Sequence, residues 1–208
     1  LKMSKQLILF EGFTIRGKNL PVPIQSCIAP NKDIHNEWKK ISHTLHEPFG
    51  IIAISLGVDM LIKSQALDHP LCKYAIGIGA RPNYPKHEIK LVKRMIIKSY
   101  TNYLKQFYSN CFNEPLNEHW QNHLSKISAK YSEETLLSEL ELVENITLTE
   151  SSLNHDKLHL AHGENDQIAP LKEIKELNLK RPINIYPNQG HLDMINHIHD
   201  SRWLEEIL

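Results

Sequence analysis

The chain has 208 residues, 41% of them hydrophobic, enough for one sizeable core and at the long end for a single domain over 1–208. Its 24 basic residues balance 24 acidic ones, so no global field favours nucleic acid or an anionic membrane. The longest apolar runs are only a few residues, far short of the ~20 that span a bilayer.

Gln6-Leu7-Ile8-Leu9-Phe10, ended by Gly12, reads as a buried strand, and Ile24 to Ala29, bounded by prolines at 21, 23 and 30, as a second. Asp33 can cap a helix running to about His46, with Ile34, Trp38, Ile41 and Leu45 at helical spacing. Ile51 to Ile54 is a third strand, followed by a helix from about Leu56 to Leu67. Lys73 to Gly79 is a fourth strand, Lys157 to Ala161 a fifth and Pro182 to Tyr186 a sixth. Pro170 to Leu177 and His191 to Leu208 supply the intervening and final helices. Strands that are apolar throughout, separated by helices, indicate a mostly parallel α/β sheet of about six strands covered on both faces.

From Arg81 to Leu153 the rhythm breaks. No strand pattern appears there, and the spacings of Ile89, Val92, Met95 and Ile96, of Tyr103, Leu104 and Phe107, and of Leu136, Leu137, Leu140 and Val143 are helical. An all-helical insertion over 81–153 between two sheet strands reads as a lid.

Three stretches carry chemistry. In "GIIAISLGVDM" an apolar strand stops on Ser55, and Gly57 follows two residues later, the arrangement of a nucleophile elbow with Ala53 where glycine is usual. In "HLAHGENDQIAP" a strand ends at His162-Gly163, with Asp166 three residues beyond. In "INIYPNQGHLDM" a strand leads through Gly190 to His191. A serine hydroxyl becomes nucleophilic when an imidazole takes its proton, and a carboxylate fixes that imidazole's tautomer. Each residue also has an ordinary structural explanation: a strand-end serine, a turn aspartate, a surface histidine. Three of them, in the order Ser55, Asp166, His191 at three strand ends, point to catalysis, because loops after parallel strands open at one edge. Asp59 and Asp193 are rival acids, but both follow strand-end residues into helices and would point away. Thirteen histidines raise the question of a metal, yet His155, His159 and His162 lie in a strand region where no helical ligand face forms, so no metal is expected.

With these residues in place the chain resembles an α/β-hydrolase along almost its whole length. Within that fold it is most similar to the carboxylesterases that release pimeloyl-acyl carrier protein from its methyl ester in biotin synthesis. The Ser-Leu-Gly elbow resembles theirs, a lid of this size matches their four-helix V-shaped lid, and "EETLLSELELVENITLTESSL" (133–153) resembles their last lid helix and the return to the sheet. "LFEGFT" resembles the family's first-strand exit, with Glu11 where histidine is usual. The resemblance implies a cofactor-free Ser-His-Asp esterase in which the Phe13 and Leu56 backbone amides hold the oxyanion and Phe13 lines the acyl pocket. The family's one or two antiparallel strands before this point would be missing, leaving a smaller sheet with a more exposed edge.

Arg81, Lys86, Lys90, Lys93, Arg94, Lys98 and Lys105 fall within 25 residues that hold one acid, Glu88. This is either a solvated helix face or, through Lys90, Lys93 and Arg94, a docking patch for an acidic acyl carrier protein. A start lacking a signal peptide's h-region and cleavage site, and three widely spaced cysteines, point to a cytoplasmic, monomeric enzyme. Thioesterase, short-chain esterase and non-catalytic binding protein remain as rivals.

Overall fold

The computed structural model describes residues 6–15 and 24–197. Six parallel strands, β1 (Gln6–Phe10), β2 (Ser26–Ile28), β3 (Phe49–Ile54), β4 (Cys72–Ile78), β5 (Leu158–Gly163) and β6 (Asn184–Tyr186), pair in the order β2-β1-β3-β4-β5-β6. Helices α1 (Ile34–Ser42), α2 (Leu56–Ser64) and α7 (Leu171–Lys175) connect them. The central strands are apolar because both of their faces are covered: all six residues of β3 are buried, and in β4 only Lys73 is exposed. The six-stranded sheet expected from the sequence is therefore present.

Topology also locates a crevice. From β1 the chain steps outward to β2, then crosses to β3 on β1's other side and continues away from it. Connections thus diverge between β1 and β3, and in open parallel sheets that divergence leaves a cleft outside the strands' C-terminal ends. The two segments bordering it are Glu11–Thr14 and Ser55.

Between β4 and β5 lie α3 (Lys86–Asn110), α4 (Glu118–Lys130), α5 (Glu133–Glu144) and α6 (Glu150–Leu153), an excursion without a strand, as the sequence pattern required. Polar side chains set its boundaries. Asn117 and Ser132 accept from the backbone N–H of Trp120 and Thr135, and Thr149 and Ser152 form a reciprocal capping box. Helix α3 is really two helices. Ser99 is extended (φ −171°, ψ 98°), and its hydroxyl accepts from Asn102 N–H at 3.4 Å, starting the second half afresh. No described helix is long and apolar enough to cross a membrane.

Three helix predictions need correction. α1 stops at Ser42 rather than His46, because the Ser42 and Thr44 hydroxyls bond back to Lys39 and Ile41 carbonyls and draw the backbone out of the helical ladder. α2 ends at Ser64; Gln65 takes φ +62°, and a 3₁₀ turn (Ala66–Asp68) finishes the segment. His191 does not open a helix. Leu192 N–H donates to the distant Cys111 carbonyl, and a 3₁₀ turn, Asp193–His197, completes the described residues. The rest of the expected terminal helix, 198–208, lies outside the described residues.

Candidate active site

Ser55 sits where β3 gives way to α2. Its N–H donates to Ile78 O (2.8 Å), and its carbonyl accepts from Val58 N–H (2.9 Å), so the turn is pinned to the end of β4 on one side and to the new helix on the other. The price is backbone strain: φ +56°, ψ −118° is a region that non-glycine residues avoid, at about 1–3 kcal/mol. Although Ser55 occupies the helix N-cap, its side chain caps nothing. Gly57 is needed for close approach, since a Cβ there would strike the Phe10 carbonyl. Ala53, the departure from the usual elbow, fits fully buried within β3.

The carboxylate and the imidazole meet on the neighbouring loops. Asp166 is buried beyond β5, its Oδ1 accepting from Ile168 N–H (2.9 Å) and Ala169 N–H (2.7 Å) and its Oδ2 from His191 Nδ1 (2.7 Å). Burial opposes its charge, but the His191 ring and these N–H donors outweigh that and hold the carboxyl below its ordinary range. The His191 ring is fully buried against Gly79, whose φ of +60° suits glycine and where a Cβ would lie 2.7 Å from the ring. Accepting on Oδ2 places the ring proton on Nδ1 and leaves Nε2 as the basic lone pair. Nε2 is buried and without a partner among the described residues.

The serine and the imidazole are not hydrogen-bonded to each other here. Ser55 and Tyr84 line the same cavity. Burial pushes the Tyr84 phenol up, so it remains a proton donor at neutral pH, and its ring carries the Arg81 guanidinium 4.4 Å above the centroid. Sequence reasoning missed Tyr84. Its one signal is the bracketing pair Pro82 and Pro85, which hold the chain extended as it leaves β4 for α3. It missed His162 too, whose buried Nε2 donates to Ala169 O (2.6 Å) and stands 3.6 Å from Asp166 Oδ2. Of the rival acids, Asp193 accepts from Gly190 N–H (2.6 Å) and Asn113 N–H (2.9 Å), bracing the His191 loop. Asp59 pairs with Lys63 along α2.

Phe13 and Leu56 border the same cleft. Glu11 N–H donates to Ile28 O, and a turn closed by Ile15 N–H to Gly12 O (3.2 Å) lays Phe13 beside Ser55. Neither the Phe13 nor the Leu56 N–H bonds to another described group. The cavity over Ser55 measures about 150 Å³. Phe13, Tyr103 and Phe107 form an aromatic wall, with ring centroids 5.5 to 6.3 Å apart, and Ile89, Val92, Leu140 and Val143 add aliphatic surface from α3 and α5. Arg81 closes one side, its charge shared between Glu88 (2.7 Å) and Glu173 (2.7 Å). The structure does not bring Lys90, Lys93 and Arg94 to this cavity. They stand exposed on the outer face of α3, alongside the exposed Leu91 and Ile97.

No family model matches the chain, and no curated protein matches it significantly. Solved structures do. The chain is similar to an esterase (EaEST) from Exiguobacterium antarcticum, with 13% identity over 99% of this chain and 91% of that one, at a TM-score of 0.75. It is similar to a bromoperoxidase from Bacillus anthracis, with 12% identity over 99% and 92%, TM-score 0.73. It is also similar to MGS-M2, an alpha/beta hydrolase enzyme from a Medee basin deep-sea metagenome library, with 14% identity over 99% and 88%, TM-score 0.67. The chain has the α/β-hydrolase fold.

Proposed function

We propose that the chain is a serine carboxylic ester hydrolase working through an acyl-enzyme. The observation that carries this reading is the 2.7 Å His191–Asp166 pair, with an unengaged Nε2, beside a serine held in a strained turn. The reaction begins with Ser55 Oγ engaging the open Nε2 of His191. His191 then takes the hydroxyl proton as Oγ attacks the ester carbon, Asp166 offsets the imidazolium charge, and the Phe13 and Leu56 N–H groups receive the oxyanion. Collapse expels the alcohol, which takes its proton from His191, and water repeats the sequence on the acyl-enzyme.

In this reading α3 to α6 form the lid. The finer substrate is the methyl ester of pimeloyl-acyl carrier protein, with Lys90, Lys93 and Arg94 docking the acidic carrier and Leu91 and Ile97 adding apolar contact. The support is the basic, partly apolar outer face of the helix whose inner residues line the cavity. A second reading, hydrolysis of short-chain acyl esters, is favoured by the cavity's size: about 150 Å³ leaves room for a short acyl chain.

Labelling with a fluorophosphonate, followed by peptide mapping, tests the enzyme reading. A Ser55 adduct that is lost in His191→Ala supports it, and an unlabelled Ser55 overturns it in favour of a binding protein. Rescue of a biotin auxotroph lacking its esterase, compared with turnover of p-nitrophenyl butyrate, separates the two substrates.

A further inference from the structure

The turn that offers the Phe13 N–H contains a second strained residue. Thr14, third in the Gly12–Ile15 turn, has φ +60°, the position at which a type II turn calls for glycine or asparagine. A β-branched residue is among the poorest choices there. Nor does its own side chain secure it: the Thr14 hydroxyl is buried and has no partner among the described residues.

What holds Thr14 comes from far along the chain. Its N–H donates to Glu139 Oε2 of α5 (3.0 Å), 125 residues away. Its carbonyl accepts from the Tyr108 hydroxyl of α3 (3.0 Å), 94 residues away. Both partners are buried and themselves anchored. Tyr131 O–H donates to Glu139 Oε1 (2.8 Å), and the Tyr108 oxygen, having given its own proton to Thr14, accepts from His123 Nε2 of α4 (3.0 Å). Two helices of the excursion thus converge on the two backbone polar groups of one residue, and a third braces one of them through Tyr108. That residue adjoins Phe13, and a Cβ on Gly12 would lie 3.3 Å from Ser55 Cβ.

We propose that Glu139 and Tyr108 are positioning residues for ester hydrolysis, acting through the Thr14 backbone to hold the Phe13 N–H where the oxyanion forms. The inference rests on the esterase reading and adds to it. The excursion does more than cover the cleft: it completes the transition-state pocket, so half of the oxyanion site depends on helices that carry no reacting group. Neither side chain touches substrate.

The test uses p-nitrophenyl butyrate for turnover, butaneboronic acid as a tetrahedral adduct of Ser55, butyrate as a ground-state ligand, and thermal midpoints as a folding control. Displacing one oxyanion donor without deleting it should lower kcat of Glu139→Ala about 10- to 100-fold with KM nearly unchanged. Boronate affinity should fall in step with kcat/KM while butyrate binding holds. Glu139→Gln keeps a carbonyl acceptor for Thr14 N–H and should recover to within about threefold of wild type, since a neutral hydrogen bond replaces a charge-assisted one. Tyr108→Phe should show the same signature at smaller amplitude, and it carries the test with Glu139→Gln if Glu139→Ala does not fold. The proposal is overturned if the Ala and Phe variants keep full kcat. It is equally overturned if butyrate and boronate binding weaken together, or if Glu139→Gln is as impaired as a non-accepting residue. A wild-type protein that neither turns over the ester nor labels at Ser55 would instead remove the esterase reading, and the positioning role with it.

Discussion

At residue 166 the structure makes a sharp distinction between two carboxylates. Asp166 spends Oδ1 on backbone N–H groups and presents Oδ2 to His191, whereas Asp193 spends Oδ2 on two backbone N–H groups. Asp166→Asn should therefore keep the fold and lower kcat by roughly 10³- to 10⁴-fold, because an amide N–H facing the ring stabilises the wrong tautomer. Asp193→Asn retains an acceptor oxygen for Gly190 and Asn113 and should lose far less. Steady-state kinetics of the two variants decide the matter, and a larger loss in Asp193→Asn would reassign the acid. The Asp166–His191 pairing was legible in the sequence as two residues in the loops that follow strands β5 and β6, and Ser55 as the residue that ends the apolar run of β3. Tyr84, Glu139 and His162 were not. Glu139 meets Thr14 across 125 residues and Tyr84 shares its cavity with Ser55 of another strand end, pairings that no local spacing records, while His162 meets Asp166 and Ala169, four and seven residues on, only because the loop after β5 folds back over it.

At the scale of elements, α3 carries two faces with different consequences. Ile89 and Val92 face the cavity, and Lys90, Lys93 and Arg94 face solvent. If that outer face docks an acidic carrier, reversing the three charges to Glu should slow association and lower kcat/KM for the carrier-linked ester. Exposed charges are screened beyond roughly 10 Å at 0.1 M salt. Wild-type turnover of that substrate should then fall steeply with salt, and the reversed variant should respond weakly. Hydrolysis of p-nitrophenyl butyrate by the same preparations should hardly change. Equal losses on both substrates would show a structural role for the helix, and no loss on either would leave the face merely solvated. The sequence revealed the helical spacing of this segment but not its break at Ser99, because a serine within an amphipathic run is unremarkable until its hydroxyl is seen to cap a new start.

At the scale of the whole molecule, pH should act on stability through His162. Burial holds its imidazole below the ordinary histidine value while it donates to Ala169, so the unfolded chain binds a proton that the folded chain refuses. Below about pH 6.5 the unfolded state gains protons first, and stability should fall as pH drops through that window. Denaturant melts at pH 7.5 and 5.5 should show the loss, and His162→Gln should flatten it. An unchanged slope would place the titration elsewhere.

The contorted backbone at residue 55 has a consequence for how this chain is tuned. A protein selected only to stay folded would have glycine there. Ser55→Gly relieves about 1–3 kcal/mol of torsional strain against an entropic loss of about 0.5–1 kcal/mol. At about 2–4 °C per kcal/mol for a chain of this length, the melting temperature should rise by a few degrees as the proposed nucleophile is lost. Ser55→Ala, which keeps the strain, should melt near the wild type. The difference between those two variants measures how much thermal tolerance the molecule forgoes in order to keep one hydroxyl in place.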